Sequence, residues 1–231
     1  MPFRAIIRSL LIQTGVSLVL AILLLFVPAG TIAWPEGWIF LALFFGCSQA
    51  TGLWLLRHDP ALLAERMKSP VRANQTPRDR AIIVAIIIAF AGWLVFMALD
   101  AQRFGWSHAQ PWAQALGALL IVAAFGGWIT VLRANSFAGT QIRLQPDRGQ
   151  TVITTGPYAV VRHPMYAYVL LLMIGAPLLL GSLWGVLFGC VVFVPLLALR
   201  MHGEEAMLMT GLPGYREYVR SVRYRLVPGI W

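Results

Sequence analysis

Charged side chains are scarce in this sequence. Only 12% of its 231 residues are Asp, Glu, Lys or Arg, whereas soluble domains carry about a quarter. Hydrophobic residues make up 59% of the chain, and the mean hydropathy is +0.74. This composition excludes an ordinary soluble domain and predicts an integral membrane protein. Because the apolar runs are continuous and do not alternate, they favour membrane-spanning helices over a β-barrel.

Residues that form disulfides and metal sites are also few. The only two cysteines, Cys47 and Cys190, lie in long apolar runs, where a disulfide is not expected. The four histidines are scattered along the chain, and this excludes a multi-histidine centre such as that of a metal-dependent membrane oxidase. We therefore predict no metal site.

Apolar runs of about 20 residues are long enough to cross a bilayer core, and they predict the spans. Four of them are Ala5–Val27, Gly37–Leu56, Ala81–Leu99 and Pro111–Leu132. The last apolar block, Tyr166–Leu199, is too long for one span, and Gly181-Ser182 near its middle indicates a tight turn. We expect two shorter, closely packed helices there, kinked by Pro177 and Pro195. The predicted fold is an all-α, polytopic membrane helical bundle of five to six transmembrane helices with a C-terminal helical hairpin.

Acidic residues number nine against 18 Lys and Arg, which gives a net charge of +9. The basic residues flank the predicted spans at Arg4, Arg8, Arg57, Arg66, Lys68, Arg72, Arg78, Arg80, Arg133, Arg143, Arg148, Arg162, Arg200, Arg216, Arg220, Arg223 and Arg225. With six crossings, all of these fall on one side, and Arg103 falls on the other. The positive-inside rule then predicts cytoplasmic termini, and we expect the protein to lie in the bacterial inner membrane. Membrane lipids account for the basic face, so no nucleic-acid partner is expected.

Chemistry is expected at the cytoplasmic side, because the loops on the other side are short. We predict a single integral membrane domain, 1–231, with N-terminal transmembrane helices over 1–133 and a C-terminal catalytic region over 134–231. The first polar stretch of that region is TGPYAVVRHPMY, residues 155–166. Pro164 favours an extended His163 and a helix that begins at the proline itself. The free N–H groups of that helix and the Arg162 guanidinium would together bind an anion, such as a carboxylate or a phosphate.

The second polar stretch is RMHGEEAML, where the last span leaves the bilayer. Arg200 and Glu204 are four residues apart, so they share a helix face and can pair. Glu205 is then left without an obvious local partner. An acidic side chain at this depth is costly unless it is paired, so these carboxylates could receive an amine or the hydroxyls of a sugar.

The third stretch is GYREYVRSVRYRLVPGIW. Tyr215, Tyr218 and Val222 recur at helical spacing opposite arginines, which predicts an amphipathic helix lying on the membrane surface. Tyr224 and Trp231 would suit the headgroup layer. The two helical tyrosines could alternatively form the wall of a ligand pocket.

These stretches, in this order and spacing, resemble the isoprenylcysteine carboxyl methyltransferase family. The resemblance covers Gly156 to Trp231, and the AER sequence at Glu65 is similar to bacterial members. It implies a cytoplasmic cofactor pocket for S-adenosyl-L-methionine. The residues implied in cofactor binding are Gly156, Pro157, Tyr158, Arg162, His163, Tyr166, Glu204, Glu205, Tyr215 and Tyr218. Tyr168 stands where many relatives have glycine, and its ring could narrow the tunnel for substrate or cofactor.

The methyl acceptor would be lipophilic and enter from the bilayer between helices. A carboxylate acceptor is expected first, oriented by Arg200 or Arg66. An amine or phenol acceptor would need a base, and Glu65 or Glu205 could serve. Phospholipid N-methyltransferases are a related alternative. Two others are a reductase with a nicotinamide cofactor and a non-catalytic scaffold of the same fold. A soluble Rossmann-type methyltransferase is excluded, because no Gly-rich strand-to-helix fingerprint occurs.

Overall fold

The computed structural model describes residues 3–71 and 75–231, so Arg72 of the predicted basic loop lies outside the described residues. The regular structure of these ranges is entirely helical. The helices are α1 (Phe3–Ala29), α2 (Pro35–His58), α3 (Pro60–Arg66), α4 (Pro77–Ala98), α5 (Pro111–Ala134), α6 (Pro164–Leu180), α7 (Leu183–Gly211) and α8 (Tyr215–Ser221). A π-helical segment, Leu99–Phe104, continues α4, and two short 3₁₀ turns, Pro146–Arg148 and Gly156–Ala159, interrupt the loop before α6.

Five helices, α1, α2, α4 with its π segment, α5 and α7, are long and apolar enough to cross a membrane. The sixth apolar helix, α6, has 17 residues. This confirms the predicted all-helical polytopic bundle. Prolines occupy the first turns of α2 to α6, where a missing N–H costs nothing and the fixed φ favours helix initiation.

The predicted hairpin is formed by α6 and α7. Gly181 ends α6 in the left-handed conformation, with φ +87°, and the Ser182 hydroxyl accepts a 3.0 Å hydrogen bond from the Gly185 N–H at the start of α7. The expectation of two shorter helices holds only for α6. Helix α7 runs for 29 residues, because Arg200–Gly211 continues it past the apolar block, and Pro195 lies inside it.

Helices α5 and α6 approach each other closely because glycines meet at their interface. A Cβ at Gly117 would lie 2.5 Å from the Leu179 nitrogen, and one at Gly175 would lie 2.8 Å from the Gly117 carbonyl oxygen. Small residues allow such backbone contact between membrane helices. Farther along α5, a Cβ at Gly127 would lie 2.2 Å from the Tyr168 ring. The ring of Tyr168 therefore packs against α5 at Gly127, and its effect on a ligand tunnel stays a prediction.

A buried carboxylate joins the π segment to the α6–α7 turn. Asp100 is fully buried, and its Oδ2 accepts hydrogen bonds from the hydroxyls of Ser107 at 2.7 Å and Ser182 at 2.6 Å. The Ser107 hydroxyl in turn accepts a 2.8 Å hydrogen bond from the N–H of Leu183. Asp100 therefore holds both serines in place while they cap α7.

The C-terminal segment is folded differently from the prediction. Helix α8 ends at Ser221, and the residues after it form turns. Tyr215, Tyr218 and Val222 are buried against Leu208 of α7. The tyrosines therefore face the protein. The predicted amphipathic helix is α8, which has its tyrosines on the buried face and Arg216 and Arg220 on the exposed face. It ends at Ser221, and backbone hydrogen bonds to the start of α6, described below, hold the chain after it.

Candidate active site

A cleft opens where the C-terminal half of α7 meets the start of α6, α8 and the loop between α5 and α6. It encloses about 890 Å³ of empty space, its open mouth included. The predicted residues that line it are Tyr158, Arg162, His163, Tyr166, Arg200, Glu204, Tyr215 and Tyr218. The fold therefore brings together residues that are up to 60 positions apart in the sequence.

Glu205 has no partner close to it in the sequence, as expected, but the fold brings three distant residues to its carboxylate. Its Oε1 lies 2.7 Å from Arg162 Nε and 3.1 Å from His163 Nε2, and its Oε2 lies 2.9 Å from Arg225 Nη2. The Glu205 side chain is only 4% exposed and is not among the groups that line the cleft. This carboxylate connects α6, α7 and the C-terminal segment, and both oxygens are already occupied. It is poorly placed for the predicted roles of base and cofactor ligand.

Arg162 likewise makes its hydrogen bonds within the protein. Its Nη1 donates to the carbonyl oxygens of Val222 at 2.9 Å and Arg223 at 2.8 Å. The backbone N–H groups of Arg162 and His163 donate to the carbonyls of Tyr224 and Arg225, each at 2.9 Å. The helix does begin at Pro164, as predicted. The C-terminal segment occupies the N–H groups of Arg162 and His163 and the Nη1 group of Arg162, so the guanidinium is not free as expected. Anion binding by the N–H groups of the helix itself stays a prediction.

Glu204 is the carboxylate that faces the cleft. Its side chain is 30% exposed, and its Oε2 accepts a 3.1 Å hydrogen bond from the Tyr166 hydroxyl. His163 Nδ1 lies 3.9 Å from the same oxygen. The predicted ion pair with Arg200 is absent from the described residues, because Arg200 Nη2 instead donates to the Thr140 carbonyl at 2.5 Å. Glu204 thus keeps acceptor capacity for a cationic or hydroxyl-bearing ligand.

Three tyrosines form an aromatic wall beside Glu204. The Tyr218 hydroxyl donates to the Tyr158 carbonyl at 2.8 Å, and Asn135 Nδ2 donates to the Tyr158 hydroxyl at 2.8 Å. Burial raises the pKa of Tyr158 to about 12, although the Asn135 hydrogen bond acts against it. Burial likewise raises the pKa of Tyr215 and of Tyr218. These phenols therefore remain neutral at physiological pH and offer ring faces and hydroxyl groups.

Gly156 and Pro157 do not line the cleft. They form the 3₁₀ turn Gly156–Ala159, in which Gly156 has φ +59°. A side chain is strained at such a φ, so glycine allows the turn. The turn brings Tyr158 to the wall of the cleft, and the two residues shape the loop that the resemblance implied.

Glu65 and Arg66 lie on α3, outside the cleft but against its wall. Glu65 binds Lys68, and its Oε2 lies 3.2 Å from Arg143 Nη2. Burial opposes ionisation of Glu65, but the hydrogen bonds from Lys68 and Arg143 outweigh it and lower the pKa of the carboxyl. Arg66 Nη1 donates to the Ala138 carbonyl at 2.8 Å. Both side chains thus hold the loop that lines the cleft, and their predicted roles toward an acceptor stay predictions.

The sequence interpretation overlooked much of this loop. Its lining residues are Asn135, Phe137, Ala138, Gly139, Gln141, Ile142, Arg143, Gln150, Thr151, Val152 and Ile153. The available signal was length, because 29 residues separate α5 from α6, and connections longer than about 12–15 residues are commonly functional.

Comparison with known families identifies the class of protein to which this site belongs. Residues 112–211 match the family model of phospholipid methyltransferases. The matched range runs from α5 through α7 and so includes Arg162, His163, Arg200 and Glu204. The chain therefore carries a phospholipid methyltransferase domain, which belongs to the membrane methyltransferases similar to isoprenylcysteine carboxyl methyltransferase. This match supports a membrane methyltransferase, in agreement with the predicted family. A search of curated proteins found no match to the chain.

Proposed function

We propose that this protein transfers a methyl group from S-adenosylmethionine to a lipophilic acceptor that reaches the cleft from the bilayer. The observation that carries the proposal is the half-buried carboxylate of Glu204 in a cleft walled by tyrosines, within the region that matches the methyltransferase family. S-adenosylmethionine is an α-amino acid with a ribose, an adenine and a positively charged sulfonium. The cleft offers groups that suit each of these parts.

The residues present fit this cofactor by charge and chemical character. Glu204 suits the amine or the ribose hydroxyls, since its Oε1 is not engaged by a protein donor among the described residues. Arg200, which reaches the cleft, suits the carboxylate. Tyr158, Tyr215 and Tyr218 suit the adenine and, through their ring faces, the sulfonium.

The reactivity comes from the sulfonium, which keeps the electron pair of the broken carbon–sulfur bond and leaves as a thioether when the acceptor binds the methyl carbon. The protein positions the reacting groups and keeps water away. Tyr166 orients Glu204 through its hydroxyl, and Glu205 holds Arg162 and the C-terminal segment in place behind it. A carboxylate acceptor needs no base in the cleft, whereas an amine acceptor must lose a proton to a base before its lone pair can bind the methyl carbon.

Two acceptor classes follow from the available groups. A carboxylate, as in isoprenylcysteine, needs orientation by an arginine, and Arg200 lines the cleft while Arg66 lies behind its wall. An amine of a phospholipid is the second candidate, and the description of the matching family favours it. A nicotinamide-dependent reduction and a scaffold without activity remain the competing outcomes.

A labelled-cofactor assay tests the proposal. Purified protein with an extract of bacterial membrane lipids and methyl-labelled S-adenosylmethionine should yield a labelled lipid. Release of labelled methanol by mild alkali identifies an ester, whereas an alkali-stable label identifies an N-methyl product. Binding of NADPH without binding of S-adenosylmethionine would contradict the proposal and favour a reductase. Cofactor binding without any labelled lipid would favour the scaffold.

Binding measurements test the site itself. Glu204→Gln should weaken S-adenosylmethionine binding by about tenfold, because a hydrogen bond to a charged group contributes about 1.5–3 kcal/mol. Glu217→Gln is the matched control, since Glu217 is an exposed residue of α8. Calorimetry that gives the same affinity for Glu204→Gln and the control would exclude Glu204 from the site.

We further propose that the cleft and both termini face the cytoplasm, with the protein in a bacterial inner membrane. The asymmetry of the basic residues supports this orientation. In a variant that lacks Cys47 and Cys190, a cysteine introduced at the exposed position of Arg220 should react with a membrane-impermeant maleimide only after the cells are opened. Labelling in intact cells would contradict this orientation and place position 220 outside the cytoplasm.

A further inference from the structure

The C-terminal segment, residues 222–231, lies at the level where α6 begins. The N–H groups of the two residues that precede α6 donate to its Tyr224 and Arg225 carbonyls, and its Leu226 side chain is buried in the apolar core of the bundle. Helix α6 has 17 residues and is therefore about 25 Å long, close to the thickness of about 30 Å of the hydrocarbon core of a bilayer. The segment therefore lies at one surface of that core, where the lipid headgroups begin.

The segment also borders the lipid-facing side of α7. The ring centroid of Trp231 lies 6.3 Å from that of His202, which is exposed. Three residues earlier on the same face of this membrane-spanning helix is Leu199, which is 44% exposed. The apolar surface that α7 presents to lipid thus continues onto the segment.

An apolar turn projects from this segment. The Val227 carbonyl accepts hydrogen bonds from the N–H groups of Ile230 and Trp231, each at 3.1 Å. This turn leaves Ile230 82% exposed, and Tyr224 and Val227 are exposed as well. Contact of these side chains with water is unfavourable, whereas burial of their apolar surface among acyl chains would be favourable.

Two arginines of this region have no counter-charge. Arg220 and Arg223 are exposed, and within the described ranges neither has a carboxylate at ion-pair distance. Glu217 is the single acidic residue that follows Glu205 in the sequence. Exposed arginines together with apolar side chains at a membrane surface are typical of segments that bind anionic lipids.

We propose that Arg220, Arg223, Val227 and Ile230 form a docking surface for anionic phospholipids of the surrounding bilayer. The two guanidinium groups bind the lipid phosphates, and the apolar turn lies among the upper parts of the acyl chains. Anionic lipids are favoured over zwitterionic ones, because the cation of a zwitterionic headgroup offsets the attraction between its phosphate and the arginines.

Docking would also support the cofactor site, and this part of the inference rests on the proposed function. The Val222 and Arg223 carbonyls accept hydrogen bonds from Arg162 Nη1, and Arg225 binds Glu205. Because Arg162 lines the cleft, the docked segment and the complete cleft belong to the same state. A lipid and a cofactor that both favour this state should each tighten the binding of the other.

Fluorescence quenching tests the docking surface. A label is attached through Ile230→Cys in a variant with Cys47→Ser and Cys190→Ser, and the protein is placed in nanodiscs of phosphatidylcholine with brominated acyl chains, with or without brominated phosphatidylglycerol. Quenching should be at least twofold stronger with phosphatidylglycerol. Asp147→Cys, at a side chain that is 63% exposed in the loop before α6, is the matched control and should show little quenching. Equal quenching at position 230 in both kinds of disc would overturn the inference, as would its absence, which would indicate a different occupant such as an acidic protein.

Calorimetry of S-adenosylmethionine binding in unlabelled discs of both kinds tests the coupling. Phosphatidylglycerol should tighten binding about fivefold, and Arg220→Gln combined with Arg223→Gln should reduce this gain to about twofold or less. Arg57→Gln combined with Arg133→Gln is the matched control, since it removes two charges from exposed residues at the ends of α2 and α5. The gain should remain in the control, although the anionic surface attracts the cationic cofactor in all of these proteins.

The two measurements separate this inference from the proposed function. An equal loss of the gain in both pairs of variants would overturn the role of Arg220 and Arg223, because any surface charge would then act alike. The quenching at position 230 is measured with both arginines in place, so it tests docking even where the double variant does not fold. Absence of S-adenosylmethionine binding in every disc, with the quenching intact, would overturn the proposed function and leave the docking surface in place.

Discussion

The Arg162 guanidinium lies 2.7 Å from the Glu205 carboxylate, although 43 residues separate them, and both side chains are less than 10% exposed. The pair joins the start of α6 to α7, and Arg225 binds the other oxygen of the same carboxylate. Glu205, which the sequence suggested as a ligand contact, thus belongs to the framework behind the cleft, whereas Arg162 both supports this framework and lines the cleft. Loss of one partner would leave a buried charge without compensation.

Glu205→Gln should therefore destabilise the protein. Breaking a buried ion pair by removal of one partner costs about 3–5 kcal/mol, so the unfolding temperature in detergent should fall by several degrees. Glu204→Gln is the adjacent control and should change the unfolding temperature much less, because Glu204 is 30% exposed and its carboxylate has no arginine partner among the described residues. Equal stability of the two variants would mean that the Glu205 pairs do not support the fold.

The interface of α5 and α6 offers a test at two neighbouring glycines. A Cβ at Gly127 would lie 2.2 Å from the Tyr168 ring, whereas one at Gly126 would meet nothing within 4 Å. Gly127→Ala should destabilise the protein by about 1–3 kcal/mol through overpacking. Gly126→Ala should be neutral or slightly stabilising, since alanine is the better helix former. Thermal unfolding of both variants is the measurement, and Gly127→Ala combined with Tyr168→Ala should recover part of the loss.

The hydrogen bonds of the buried Asp100 carboxylate should also contribute to stability, at the opposite end of the bundle. Asp100→Ala removes the acceptor for the hydroxyls of Ser107 and Ser182, at a cost of about 2–3 kcal/mol for hydrogen bonds to a buried acceptor. A double-mutant cycle with Ser182→Ala should show coupling, because both changes break the same contact. Asp147→Ala, at an exposed residue, should leave the unfolding temperature unchanged. Additive effects in the cycle would contradict the shared contact.

The lowered pKa of the Glu65 carboxyl predicts that the stability of the protein depends on pH. Its folded-state pKa is lowered from 4.5, because the hydrogen bonds from Lys68 and Arg143 outweigh burial. The folded state thus holds the proton less tightly than the unfolded state, so the contribution is present above pH 4.5 and is lost as the pH falls through the lowered pKa. Glu65→Gln should flatten this part of the profile of unfolding temperature against pH. Glu217→Gln, at an exposed residue, should leave it unchanged.

The start of α6 and the hairpin turn could be predicted because local chemistry decides them. Pro164 begins a helix, and Gly181 ends one with a positive φ that few other residues adopt. The choice between Glu204 and Glu205 could not be predicted in this way. Adjacent residues on a helix point about 100° apart, so the orientation of α7 decides which carboxylate faces the cleft. The packing of distant segments sets that orientation.

The contacts of Arg162 could not be predicted from the sequence either, because they join residues that are far apart in the chain. Its acceptors on Val222 and Arg223 lie 60 and 61 residues away, and no spacing rule links such positions. The arginines after α8 indicated a membrane surface, and the sequence held no sign that their backbone carbonyls would occupy the donors of Arg162.

The backbone hydrogen bonds from Arg162 and His163 to Tyr224 and Arg225 also impose an order on biosynthesis. When a ribosome has delivered α6 to the membrane, the acceptors of these two residues have not yet been translated. The six apolar helices can insert and associate at that stage, but the wall behind the cleft closes only after the chain beyond α8 has been released. The helices therefore enter the bilayer before the cleft is complete. A nascent chain that paused after α7 would be inserted in the membrane but would lack the wall behind the cleft, so we expect it to be inactive.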